Sequence, residues 1–119
     1  MHYVSWNCRG LGSKLKEEAI RDLVRMTSPD VLLIQETKLE DADILRASKS
    51  FWKKGSGRAV SARGASGGIT TFWDTAKLEL MEDESITHWL FTKLLHKDSG
   101  HMVSLFNLYV LVLISKKKA

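Results

Sequence analysis

Two polar side chains close apolar stretches near the start of the chain. Asn7 ends the first, in "YVSWNCRGLG", and Glu36 ends the second, in "DVLLIQETKL". An amide and a carboxylate brought together offer oxygen donors to a hard cation. Mg²⁺ takes such ligands, keeps several waters, and is held by one or two carboxylates together with substrate phosphate. A cation so placed would polarise a phosphoryl oxygen and steady a leaving group. The competing reading is local: Asn7 orders the loop behind it, and Glu36 caps a strand end.

The elements that carry these residues decide whether they meet. His2–Trp6 reads as a short strand of β-branched and aromatic residues, followed by a loop marked by Gly10 and Gly12. Ser13 is an N-cap for a helix running to about Thr27, with Leu15, Ala19, Leu23, Ile20 and Val24 as its apolar stripe. Glu17 and Arg21 are spaced for an i,i+4 ion pair on its other face. Ser28-Pro29 ends this helix, because the residue before a proline is pushed out of the helical region. Val31–Gln35 is a continuous apolar run, the mark of a strand covered on both faces. Strand, long crossover and strand make a βαβ unit with parallel strands.

Parallel strands end at one edge of their sheet, and ligands of open α/β sheets bind in the crevice beyond that edge. Asn7 and Glu36, each one residue past a strand, are therefore expected in one crevice. Asp30 precedes the second strand, so it stands roughly 15–20 Å from Glu36 and serves a turn or cap instead.

Beyond Val31–Gln35, a second helix is expected within Glu40–Ser48, and the texture then changes to antiparallel β. Strands are expected at Ala59–Arg63, Ile69–Trp73, Lys77–Met81, Ile86–Leu95 and Met102–Val110. In the last of these Val103, Leu105, Asn107 and Tyr109 share one face by the period of two. "RGASGG" lacks the P-loop lysine and opens no helix, so it reads as a hairpin connection rather than a phosphate cradle.

At 119 residues, 44% of them hydrophobic and 27% charged, the chain is one globular domain. Its net charge of +4 includes Lys116–Lys118, without which the balance falls to +1. Bulk charge is therefore weak support for a nucleic-acid partner. A local set at Lys53, Lys54, Arg58 and Arg63 could meet a phosphate backbone, and Arg9 could touch a phosphate from the loop after Asn7. Read blandly, these are solvated surface charges. The single cysteine, Cys8, allows no internal disulfide and reads as a buried or loop thiol. The N-terminus is not a signal peptide, and the longest apolar run, Leu108–Ile114, is too short to span a bilayer. An intracellular protein, nuclear or cytoplasmic, with no membrane partner is expected. His2, His88, His96 and His101 read as structural or surface residues, and most of Trp6, Trp52, Trp73 and Trp89 as core.

Four segments, "SWNCRGLG", "PDVLLIQETKL", "GASGGITTFWD" and "LFNLYVLV", in this order and spacing resemble the endonuclease/exonuclease/phosphatase superfamily. Within it the similarity is greatest to the endonuclease domain of plant-type LINE (non-LTR) retrotransposon polyproteins. The resemblance covers essentially the whole chain. It implies an α/β fold, a sandwich of two mixed sheets with helices outside, and Mg²⁺-dependent cleavage of phosphoesters, with Mn²⁺ as the alternative ion. Glu36 then resembles the acidic metal ligand, Asn7 the amide that positions metal or phosphate, and Tyr109 the tyrosine that contacts the scissile phosphate. DNA is the implied partner of the intact domain.

Departures from the family pattern set the expectation for activity. Leu111 stands where a proline usually follows the tyrosine, and no Gly-Asp-x-Asn or Ser-Asp-His string occurs. Those segments supply the water-activating Asp and the phosphate-binding His of the family. Residues 1–119 are therefore expected to form a single, incomplete domain, a C-terminally truncated fragment with little or no hydrolysis of its own. The alternatives are a non-catalytic nucleic-acid-binding remnant and another phosphoesterase branch of the superfamily. Oligomeric state is not legible in the sequence.

Overall fold

The computed structural model describes residues 1–61, 67–86 and 88–108. The elements follow as β1 (Tyr3–Asn7), α1 (Lys14–Thr27), β2 (Val31–Gln35), α2 (Asp41–Phe51), β3 (Gly55–Val60), β4 (Ile69–Asp74), β5 (Leu78–Ile86), β6 (Trp89–His96) and β7 (Met102–Leu108). One sheet has the order β1-β2-β4-β3, the other β5-β6-β7. The architecture is mixed α/β, as expected.

The βαβ unit forms for local reasons. The Ser13 hydroxyl accepts from the Lys16 amide at 3.2 Å, opening α1, and the left-handed Ser28 closes it with its amide on the Val24 carbonyl. The buried stripe is Ile20 with Leu23 and Val24; Leu15 and Ala19 point to solvent. Arg21 does not pair with Glu17 as its spacing suggests. Its Nε donates instead to the Ser50 carbonyl in the last turn of α2, at 3.0 Å, where a cation offsets the unpaired carbonyls of a helix end. β1 and β2 run parallel, with Tyr3 opposite Val31 and Asn7 opposite Gln35. The strand expected at 2–6 is displaced by one residue, so Asn7 ends β1 rather than following it.

β2 is covered on both faces. Leu32 and Ile34 join Ile20, Ile44, Phe51, Trp52 and Phe72 in a core beneath the two helices. Val31 joins Trp73, Leu78 and Leu94, with Leu33 and Leu105 packed on them, in a second core between the sheets. Each fully buried large apolar side chain contributes about 1.5–3 kcal/mol. β7 crosses β2 and β4, and β6 crosses β4 and β3. β1 and β7 are thus outer strands of their sheets, and Tyr3, Phe106 and Leu108 are exposed there.

The second half departs most from the sequence reading. β3 begins at Gly55, ahead of the expected Ala59, and β5 runs on to Ile86 through an irregularity between Leu80 and Glu82. β6 accordingly starts at Trp89 rather than Ile86, and α2 continues past Ser48 to Phe51. β3 and β4 pair antiparallel across the "RGASGG" connection, as expected of a hairpin. Trp52 and Trp73 are core residues and Trp6 is partly buried, while Trp89 meets Phe106 edge-on on the outer face of the second sheet. No helix among the described residues is long and apolar enough to cross a membrane.

Asp30 lies at the edge away from Glu36, as its position before β2 requires. Its carboxylate accepts from the His2 amide at 2.7 Å and from Lys77 Nζ at 2.8 Å. Burial pushes its pKa up, but the Lys77 and His2 hydrogen bonds, with the charges of Lys77 and the N-terminus, outweigh burial and hold it below its ordinary value. The folded state then binds fewer protons than the unfolded chain in acid. Its stabilisation is complete above the unfolded value of about 3.9 and is lost as pH falls through the lowered folded value. We expect the urea midpoint of the wild type to fall below about pH 4, while that of Asp30→Asn is lower at neutral pH and flatter in acid.

Candidate functional site

Beyond the ends of β1 and β2 the two chains stay joined by backbone hydrogen bonds. Cys8 donates to the Gln35 carbonyl at 3.1 Å, Gly10 to the Glu36 carbonyl at 2.7 Å, and Leu11 to the Thr37 carbonyl at 2.9 Å. On its other side the same loop is held by the hairpin before β4: Thr37 donates to the Gly68 carbonyl at 3.1 Å and Lys38 to the Gly67 carbonyl at 2.8 Å. Three loops therefore form a short irregular ladder with Glu36–Lys38 in the middle.

Left-handed backbone is concentrated here. Arg9, Gly10, Glu36, Lys38, Gly67 and Gly68 all have positive φ, and of these Arg9 (51°), Glu36 (58°) and Lys38 (57°) carry side chains. Such residues cost on the order of 1–3 kcal/mol each and persist only where their surroundings over-determine them, which is most often at functional sites. For Glu36 the surroundings are the Gly10 amide on its carbonyl and the two Gly67–Gly68 bonds just beyond it.

Asn7 and Glu36 share this edge. Asn7 stands opposite Gln35 on strands about 4.8 Å apart, and Glu36 is the next residue. Asn7 is exposed, Glu36 half-buried. The Asn7 Oδ1 accepts from the Arg9 amide at 3.2 Å, so the side chain does order its own loop, and one lone pair remains for another partner. The Glu36 carboxylate has no hydrogen bond or ion pair among the described residues. A half-buried carboxylate and an amide oxygen on one sheet edge are donors of the kind taken by a cation that keeps most of its water. No cluster of three or more His, Cys, Asp or Glu side chains forms among the described residues, so these donors would hold an ion only with help from water or substrate.

Cys8 is sealed beneath the loop, its Sγ 3.5 Å from the carbonyl oxygens of Gln35 and Glu36. Burial pushes its thiol pKa up against the opposing effects of the Gly10 amide and the Lys16 charge. Burial thus favours the protonated thiol over the thiolate that acts as nucleophile or ligand. Lys16 braces the same loop, with Nζ 2.7 Å from the Cys8 carbonyl and over the Trp6 ring.

The basic residues do not gather as their sequence clustering suggests. Arg9 is exposed at the rim beside Asn7. Lys53 and Lys54 precede Gly55, which pairs with Asp74 at the opposite end of the sheet, about 17 Å from the Val60 end. Arg58 is engaged with Asp83 of β5 at 3.0 Å. Arg63 and Tyr109 lie outside the described residues. Lys38, not singled out in the sequence, lies over Gly10 at the site edge.

Asn107, placed by the sequence on one face with Val103 and Leu105, has a partner in Gln35 that the sequence did not indicate. Asn107 is 2% exposed, on the inward face of β7 with Val103 and Leu105. Its Oδ1 accepts from Gln35 Nε2 at 2.8 Å, and its Nδ2 donates to the Thr70 carbonyl at 2.9 Å. The bridge ties both sheets together directly behind Glu36. An amide within an otherwise apolar strand was the only signal for it. His96 is engaged in the β6–β7 turn, its Nδ1 2.7 Å from Ser99 Oγ, away from this edge.

Solved structures share this fold. The AP endonuclease of Leishmania major superposes with a TM-score of 0.68 at 20% identity, over 92% of this chain and 40% of that one. The mannosyl-6-phosphatase of Bacteroides thetaiotaomicron gives 0.71 at 15% identity, over 89% and 50%. An endonuclease/exonuclease/phosphatase from Bacteroides vulgatus gives 0.64 at 11%, over 88% and 49%. The chain spans half or less of each of these proteins. Comparison with curated protein sequences gives no match. The profile of the Endonuclease/Exonuclease/phosphatase family matches residues 4–103, and the chain belongs to that family.

Proposed function

We propose that this chain is the metal-binding half of a Mg²⁺-dependent phosphodiesterase domain of the LINE endonuclease type, acting on DNA. The observation that supports it best is the shared edge: Asn7, opposite Gln35, and the left-handed, half-buried Glu36 just beyond it stand at the same ends of adjacent parallel strands. Glu36 would hold the ion and Asn7 would orient it or its phosphate ligand, with Mn²⁺ able to take the same place. When bound, the ion supplies charge stabilisation at a phosphoryl oxygen. The chain's own residues do the rest of the positioning. Arg9 and Lys38 offer cations at the rim to a phosphate backbone, and the Asn107–Gln35 bridge keeps the floor rigid. The wording of "NCRGLG" and "GASGG" favours the LINE branch over other phosphoesterases.

Water activation is the step this half leaves unfilled. The strings that carry the family's general base and phosphate clamp are not in the sequence, and a positioned base is worth about 10²–10⁴-fold. Residues 1–119 are thus read as one incomplete domain with little activity alone.

A supercoiled-plasmid assay with a parallel Mn²⁺ titration by NMR tests this reading. Expected are an intact plasmid and selective broadening of the Asn7, Glu36 and Thr37 amides, lost in Glu36→Ala. Vigorous Mg²⁺-dependent nicking, abolished in Glu36→Ala, would keep the site and overturn the half-domain reading. Broadening that ignores Glu36 would overturn the site itself.

A further inference from the structure

We propose that Gly67 and Gly68 are positioning residues for Glu36, setting its backbone from the neighbouring hairpin. This gives the "GASGG" motif a role that a hairpin connection alone does not explain. The connection between β3 and β4 is under no obligation to touch β2. Yet its last two residues turn their carbonyls onto the Thr37 and Lys38 amides, just past Glu36.

Both glycines are needed for that contact. Their φ values of +80° and +91° lie where residues with a Cβ are strained. Gly68 is also a close approach: a methyl there would overlap Thr37 Oγ1 and come within 3.1 Å of the Lys38 nitrogen. Thr37 is 1% exposed and its hydroxyl accepts from the Leu39 amide, so turning it aside breaks that bond within buried surroundings. Any side chain at 68 must push the Thr37–Lys38 segment away from the hairpin. Glu36 would then lose half of what holds it left-handed, keeping only the Gly10 and Leu11 bonds on the β1 side. Thr37 thus links the glycine to the residue that carries the carboxylate.

Gly100 provides a matched control. It too is left-handed, at +74°, but sits in the β6–β7 turn with no atom within 4 Å of an added methyl. Gly100→Ala therefore imposes the backbone strain without the steric push, and away from the site.

The test is amide hydrogen exchange on the full chain, followed by Mn²⁺ titration. In Gly68→Ala the Thr37 and Lys38 amides should exchange at least tenfold faster than in the wild type, and Gly10 and Leu11 should also lose protection. Leu32, Phe72 and Leu94 should keep theirs. Gly100→Ala should leave the four loop amides unchanged, and Thr37→Ala in the Gly68→Ala background should restore part of the protection. The second arm rests on the metal reading above: half-maximal broadening at Glu36 should need at least fivefold more Mn²⁺ in Gly68→Ala than in wild type or Gly100→Ala.

Unchanged loop protection in Gly68→Ala, or equal loss in Gly100→Ala, would overturn the proposal. Altered protection with no Mn²⁺ effect even in the wild type would sink the metal reading and leave the positioning intact. Where Gly68→Ala does not fold, Gly67→Ala carries the test, because its added methyl meets no atom. Faster exchange at Lys38 is then expected, and unchanged exchange rejects the proposal.

Discussion

Replacing Asn107 with aspartate should cost about 3–5 kcal/mol of folding stability at neutral pH, the scale of an uncompensated buried charge. The Nδ2 that now donates to the Thr70 carbonyl would become an acceptor facing an acceptor. Gln35 Nε2 and the Thr71 hydroxyl, at 3.3 Å, would be left as its donors. Because the site favours a neutral carboxyl, the folded variant holds its proton more tightly than the unfolded chain. Its stability is therefore highest in acid and falls as pH rises above the unfolded value of about 3.9. Asn107→Leu separates shape from polarity. It removes the charge problem, leaves Gln35 Nε2 with its 3.1 Å partner Ser5 Oγ, and should cost about 1–3 kcal/mol without that pH trend. Urea melts of the three proteins between pH 4 and 8 read both quantities. Equal stability of the aspartate and leucine variants throughout would show that the amide is not the buried bridge described.

Phe72→Ala should be comparably severe, at about 3–5 kcal/mol, for an apolar reason. Phe72 is fully buried in the core under the helices, edge-on to Phe51 with centroids 5.7 Å apart. Across the sheet its ring lies on Gly57, where an added Cβ would come within 2.5 Å of Cδ1 and 2.7 Å of Cε1. Gly57→Ala should consequently cost about 1–3 kcal/mol through overpacking. The informative measurement is the double variant. The methyl at 57 would enter the space the ring vacates, so Gly57→Ala should cost less in the Phe72→Ala background than alone. Strictly additive denaturation free energies would mean that ring and glycine do not compete for the same volume.

The glycine–phenylalanine contact also explains where the sequence reading slipped. Gly55 and Gly57 argue against a strand by propensity, so β3 was expected from Ala59. The structure places them in the strand because Trp52 and Phe72 rings lie against them, a tertiary demand invisible to local pattern. Elements with local signals were legible: Ser13 and Ser28-Pro29 bracket α1, and Val31–Gln35 has the bounds its apolar run predicts. The shared edge of Asn7 and Glu36 followed from strand order alone. What supports that edge did not. Gln35 and Asn107 are 72 positions apart, and no spacing rule joins them. The lysines at 53 and 54 make the converse point: neighbours of Arg58 in sequence, they precede its strand at the end of the sheet away from Asn7 and Glu36.

The loop ladder around Glu36 has a consequence in time. β2 lies between β1 and β4, so its loop is gripped by one segment made before it and another made after it. When Glu36 is synthesised, residues 8–11 already exist, but Gly67 and Gly68 follow roughly thirty residues later. At about 5–20 residues per second that is an interval of about 1.5–6 seconds. During it the β1–α1–β2 unit has every partner for its parallel pairing, whereas the carboxylate's backbone is held from one side only. The geometry of this edge is therefore completed late, by the hairpin, and not by the unit that carries Asn7 and Glu36.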